Sequence, residues 1–207
     1  MLSKLIIAAA IIFILISIFV YFSKHNNPVN DAKPIVFFGN SITAGQGAGA
    51  GEDFPSLVGK TLNVPIVNAG VSGNTTHDAF LRINEDVLSK NPSVVVIELG
   101  GNDLLDRVDI KETKRNFEQI LSKIKPIGAK IVILEIKFVL FNKIYETDLR
   151  DLAKKYDAVY VPDILEGVIS DQSLKFDDLH PNAKGYQKIA EKLIPIIAPL
   201  TVQKPKN

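Results

Sequence analysis

Residues 34–45 read P-I-V-F-F-G-N-S-I-T-A-G. Ile35, Val36, Phe37 and Phe38 run on without alternation, the pattern of a strand buried on both faces. Gly39 ends the run, and a residue without a Cβ lets the backbone turn where a side chain would clash. Ser41 is thereby delivered just past the carboxyl end of a strand, the edge at which open α/β sheets bind ligands. Ser41 is a candidate nucleophile on that ground. The same letters also fit an ordinary strand–turn–helix junction with a serine cap, so the decision falls to the rest of the chain.

Three more strand-like runs resemble the first. Residues 64–68 (V-P-I-V-N), 93–99 (S-V-V-V-I-E-L) and 129–136 (A-K-I-V-I-L-E-I) are short and apolar, and residues 158–161 (A-V-Y-V) make a fifth. Helical patterns separate them at 54–62, 77–89, 111–125 and 145–156, and a last one spans 181–198, with Pro181 as its opening residue. Asp53 and Thr75 or Thr76 are candidate caps, and Phe80, Leu81, Val87 and Leu88 a partial apolar face. Strands alternating with helices imply a mostly parallel sheet covered on both faces. Right-handed crossovers then collect the strand ends on one edge. The glycine-rich residues 45–51 (G-Q-G-A-G-A-G) read as a mobile substrate-side loop, because they lack both the Gly-Lys-Ser/Thr ending and the G-x-G-x-x-G spacing of phosphate sites.

Composition narrows the chemistry. The 207 residues suffice for one domain with a substantial core. Lys plus Arg number 24 against 23 Asp plus Glu, so nothing electrostatic suggests a nucleic-acid partner. There is no cysteine, which excludes disulfides, thiolate metal sites and cysteine nucleophiles. Three histidines, His25, His77 and His180, are the whole supply of imidazole.

The amino terminus stands apart. Residues 5–22 are eighteen apolar or small residues without a charge. As a helix they would span about 27 Å, close to the ~30 Å of a bilayer core. No small-x-small cleavage site follows, which favours an uncleaved anchor in residues 1–24 over a removed signal. Residues 25–33 then read as a linker, 34–200 as the domain and 201–207 as a tail, with the domain on the far side of the membrane from the cytoplasm.

A hydroxyl nucleophile needs a base in hydrogen-bond reach, an acid behind the base, and donors for the oxyanion. Of the histidines, only His180 sits in a suitable context, F-D-D-L-H-P-N at 176–182, with Asp177 three residues before it. Asp178 is the rival acid. Capping aspartates beside a surface histidine explain the same letters. Donors are available as the N–H of Ser41, the N–H of Gly73 in S-G-N-T-T, and the side-chain amide of Asn102 in G-G-N-D. Glu98 and Glu135 lie in strands and read as buried structural carboxylates or strand-edge residues, Asp103 as a brace for its own turn, and residues 138–141 with Ile144 and Tyr145 as either an acyl-pocket wall or a buried connection.

Taken together, Gly39-Asn40-Ser41, Gly73, Gly100-Gly101-Asn102-Asp103 and Asp177-x-x-His180 resemble the four motifs of the SGNH hydrolases, also called GDSL esterases/lipases. The surrounding words are similar to the bacterial arylesterase / thioesterase I / lysophospholipase branch. The resemblance implies a flavodoxin-like three-layer α/β/α fold with a mostly parallel five-stranded sheet. It also implies a serine hydrolase of esters or thioesters that needs no metal or organic cofactor. Ser41 would be nucleophile, His180 base, Asp177 orienting acid, and Ser41, Gly73 and Asn102 the oxyanion hole. One letter departs: the family usually has Asp where this chain has Asn40. Two rival readings are a carbohydrate O-acetyl esterase of the cell envelope and a non-catalytic binding module with a degenerate site. A flavodoxin-like nucleotide binder is disfavoured by the missing phosphate fingerprint.

Overall fold

A computed structural model of the protein describes residues 16–17, 32–137 and 143–201. Its five strands are β1 (Ile35–Gly39), β2 (Ile66–Gly70), β3 (Val94–Glu98), β4 (Lys130–Leu134) and β5 (Val159–Val161). They pair in parallel in the order β2-β1-β3-β4-β5. This is the flavodoxin-like order, with β1 paired on both sides: Gly39 lies opposite Gly70 in β2 and Glu98 in β3. The chain leaves β1 toward β2 and then crosses to β3 on the other side. The carboxyl ends of β1 and β3 therefore flank the point where the winding reverses, the place such sheets bind ligands.

Alternation along each strand divides the core in two. Ile35 and Phe37 of β1, Val94 and Val96 of β3, and Val132 and Leu134 of β4 face one side; Val36 and Phe38, Val95 and Ile97, and Ile131 and Ile133 face the other. The first side is covered by helices α2 (Phe54–Leu62) and α7 (Ala183–Thr201), the second by α3 (Thr76–Asp86), α5 (Ile110–Ile124) and α6 (Lys143–Tyr156). Two single-turn helices, α1 (Ser41–Ala44) and α4 (Gly101–Leu105), sit directly after β1 and β3. This three-layer arrangement is the expected one.

Details differ from the sequence reading for local reasons. Helix α3 starts at Thr76 because Thr75 and Asp78 form a reciprocal capping box, and a short 3₁₀ turn (Leu88–Lys90) replaces its expected last residues. Its buried face is Ala79 and Ile83, while Leu81 is exposed. Helix α7 opens at Ala183 rather than Pro181, since the Asn182 Oδ1 accepts from the N–H groups of Lys184 and Gly185. It continues to Thr201 because Ile189, Leu193 and Ile197 keep one buried face through Pro195. No helix among the described residues is long and apolar enough to cross a membrane. The proposed anchor lies outside the described residues, apart from Ile16 and Ser17.

Phe54 joins the layers that carry the site. It is fully buried, meets Phe37 edge-on at 5.6 Å and lies nearly parallel to Tyr186 at 6.4 Å. Truncating a buried aromatic costs roughly 3–5 kcal/mol. Phe54→Ala is expected to lose stability in that range in urea unfolding.

Candidate active site

The turn after β1 is shaped by close approach. A Cβ on Gly39 would lie 2.1 Å from the Thr43 Oγ1 and 2.6 Å from the Glu98 carbonyl oxygen, so only glycine fits. Asn40 caps α1, its Oδ1 accepting from the Ile42 N–H at 3.0 Å. Ser41 is the first residue of α1, and its N–H is among those that a helix start leaves without a helical partner. The hydroxyl faces the cavity from a residue that is otherwise buried.

The segment before α7 brings the imidazole to that hydroxyl. The Phe176 N–H donates to the His180 carbonyl at 2.8 Å, and Lys175 bridges Pro181 in antiparallel fashion, so residues 175–181 form a tight loop. The His180 Nε2 lies 2.9 Å from the Ser41 Oγ. The Nδ1 lies 2.9 Å from both carboxylate oxygens of Asp177. The Asp177 Oδ1 also accepts from the N–H groups of Leu179 and His180, at 2.8 Å each. Desolvation pushes the Asp177 carboxyl up, but these amides and the imidazole outweigh it and hold it below the ordinary aspartate value. Asp178 pairs with Lys175 at 3.0 Å and takes no part.

Residues 45–51 are not a free loop. A Cβ on Gly47 would lie 2.5 Å from the Pro181 carbonyl oxygen and 2.6 Å from the Phe176 Cβ, and the Tyr186 hydroxyl donates to the Gln46 carbonyl at 2.8 Å. Gln46 and Gly47 are thus packed against the histidine loop and α7, while residues 49–51 are exposed.

The remaining predicted donors close the site. Gly73 adopts φ +81°, a conformation suited to glycine, with open space where a Cβ would be. The Asn102 Nδ2 donates to the Asn74 carbonyl at 2.9 Å, which fixes the amide beside Gly73 and leaves its second hydrogen for the cavity. Ser41, Gly73, Asn102 and His180 line one cavity of about 180 Å³. Its apolar wall is Ile42, Leu105, Ile136 and Leu179. Tyr145 is buried instead, its hydroxyl donating to the Leu99 carbonyl at 2.8 Å. Residues 138–141 lie outside the described residues. His77 is exposed on α3, and His25 lies outside the described residues.

Arg82 went unread in the sequence, and Asp103 and Glu98 reach further than their sequence reading. Arg82 spans three segments: it donates to the carbonyls of Gly39 at 3.0 Å and Ala69 at 2.9 Å and to the Asn74 Oδ1 at 2.6 Å. It thereby ties the ends of β1 and β2 to the Gly73 loop. Only its pairing with Asp86, four residues on, was open to inspection. Asp103 does more than brace its own turn. Its carboxylate accepts from the Thr76 N–H at 2.8 Å, the Thr76 hydroxyl and the Thr113 hydroxyl at 3.2 Å, joining α3, α4 and α5. Glu98 is fully buried beneath the Ser41 turn. That burial pushes its carboxyl up to about 7, against hydrogen bonds from Thr43 and Asn40 that pull it down.

A hydroxyl, an imidazole and a carboxylate in line, with N–H donors across a cavity, are what acyl transfer through an activated hydroxyl requires. A parallel α/β sheet with that site at its carboxyl edge points to the ester-bond hydrolases. The chain belongs to the GDSL-like lipase/acylhydrolase family, whose model matches residues 37–188. It is 27% identical over 177 residues to the thioesterase 1/protease 1/lysophospholipase L1 of Escherichia coli (strain K12), covering 82% of this chain and 85% of that protein. It is 30% identical over 171 residues to the arylesterase of Vibrio mimicus, covering 77% and 86%. Among solved structures, the crystal structure of TesA matches with a TM-score of 0.76 at 27% identity, covering 81% of this chain and 99% of that one. The protein is an ester-bond hydrolase.

Glu98 gives a pH-dependent expectation. Its folded value, about 7, exceeds its ordinary 4.5, so the folded state holds the extra proton between the two and stability drops as pH rises through that window. Integrated across the window, the loss is on the order of 3 kcal/mol. Urea unfolding is expected to show Glu98→Gln gaining on the wild type by that order between about pH 5 and about pH 8.

Proposed function

We propose that the protein hydrolyses acyl esters or acyl thioesters by nucleophilic catalysis at Ser41. The observation that carries the reading is the Ser41–His180–Asp177 chain of contacts, at 2.9 Å for each link. The Ser41 Oγ attacks the acyl carbonyl carbon while the His180 Nε2 takes the hydroxyl proton. Asp177 holds the imidazole in the tautomer with its proton on Nδ1 and stabilises the imidazolium. The N–H groups of Ser41 and Gly73 and the Asn102 amide receive the oxyanion. The imidazolium returns its proton to the leaving alcohol or thiol. A water, deprotonated by His180, then attacks the acyl-enzyme; the bond to the Ser41 Oγ breaks, the imidazolium returns the proton to that oxygen, and the acid is released.

The apolar cavity wall supports an acyl group as the part recognised. The activities named for the relatives, thioesterase, lysophospholipase and arylesterase, support esters and thioesters alike. We also propose that residues 5–22 anchor the hydrolase domain outside the cytoplasm, on the strength of their length and lack of charge. The full chain is then expected in the membrane fraction and a chain starting at Pro34 in the soluble one; equal partition contradicts the anchor.

A panel of p-nitrophenyl esters and acyl thioesters tests the chemistry. Turnover of at least one is expected, abolished in Ser41→Ala. Asn102→Ala is expected to lower kcat by roughly 100- to 1,000-fold, the usual loss for one oxyanion donor. Activity in Ser41→Ala equal to that of the wild type contradicts the mechanism.

A further inference from the structure

Glu98 is a buried carboxylate that the proposed chemistry does not use, and its two side-chain hydrogen-bond donors bracket the nucleophile. The Asn40 Nδ2 donates to Oε1 at 2.8 Å and the Thr43 hydroxyl to Oε2 at 2.9 Å. Asn40 precedes Ser41, and Thr43 follows it by two residues. All three partners are almost wholly buried: Glu98 0%, Asn40 3% and Thr43 1% exposed. Both contacts are long-range, linking the end of β3 to the turn after β1.

We propose that Glu98 is a positioning residue for Ser41, acting as a two-pronged clamp on the turn that carries the hydroxyl; this rests on Ser41 being the nucleophile. Two features make the clamp rigid. The Asn40 Oδ1 is committed to the Ile42 N–H, so only the Nδ2 end of that side chain faces Glu98. Glu98 is itself anchored by strand pairing, with β1 on one side and β4 on the other. Asn40 also settles which group donates. An aspartate there would meet Glu98 as a second carboxyl, and the pair would have to share a proton. The asparagine amide supplies its own hydrogen. Oε1 accepts from it whether Glu98 is charged or neutral, and a neutral Glu98 donates from Oε2 to the Thr43 oxygen.

The clamp is therefore a matter of hydrogen-bond geometry rather than of charge, which gives a sharp comparison. Glutamine at 98 reproduces it: its Oε1 accepts from Asn40 and its Nε2 donates to the Thr43 oxygen. Leucine at 98 fills the space and removes both acceptors. A misplacement of the reacting group by about 1 Å costs on the order of 100-fold in rate. Glu98→Leu is expected to lower kcat by that order with KM within about threefold, and Thr43→Val, losing one prong, by about tenfold. Glu98→Gln is expected to keep kcat within about threefold of the wild type. The assay uses the full chain and the best ester of the panel, at a temperature where thermal melts show each variant folded. If Glu98→Leu does not fold, Thr43→Val against Glu98→Gln decides. Wild-type kcat in Glu98→Leu, or in Thr43→Val should it be the deciding variant, overturns the proposal. So does a Glu98→Gln as impaired as Glu98→Leu. Activity that survives in Ser41→Ala overturns the nucleophile reading itself, a separate result.

Discussion

The hydrogen bond between the Ser41 hydroxyl and the His180 imidazole, 2.9 Å long and 139 residues apart in the chain, is the contact on which the site depends. Neither end of it is local. Ser41 follows β1, a strand paired on both sides in the parallel sheet. His180 hangs from a loop closed by its own backbone and backed by Gly47. Gly47 allows the two loops to touch, and Tyr186, buried in α7, pins Gln46 from below. Helix α7 thus both covers one face of the sheet and sets the height of the imidazole.

Around that bond the polar side chains act as ties between strand ends. Arg82 gathers β1, β2 and the Gly73 loop; Asp103 gathers three helices on the opposite flank; Glu98 joins β3 to the Ser41 turn. Each is buried or half-buried and each has its hydrogen bonds made, which is the condition under which buried polar groups are tolerated. An apolar sheet of this kind packs well but leaves the loops at its edge without fixed spacing. These ties supply the spacing, and Glu98 does so at the expense of carrying a carboxyl that burial destabilises.

The architecture was legible because each of the four longer strands carries a short run of apolar residues, β-branched above all, and the helices between them keep a 3.6-residue face. The motif residues were legible because Gly39, Gly73, Asn102 and His180 each sit where a run of regular structure stops. What was hidden is what reaches across the chain. Arg82 sits among helix residues and reads as a solvated charge, yet its three carbonyl and amide partners come from other segments. Asp103 looks like a turn brace until α3 and α5 are placed beside it. Residues 45–51 read as a mobile loop because glycine permits motion, and only the neighbours of Gly47 reveal that there it also permits contact. Asn40, where the family usually has Asp, donates from its amide to Glu98 at 2.8 Å, a contact with a residue 58 positions away that its neighbours in sequence do not announce.

Mass mapping of the protein after reaction with a fluorophosphonate measures directly whether Ser41 is an activated nucleophile. One phosphonyl group per chain is expected, on Ser41, and no labelling in Ser41→Ala. A label on another residue, or a wild-type protein that takes up none, would contradict it.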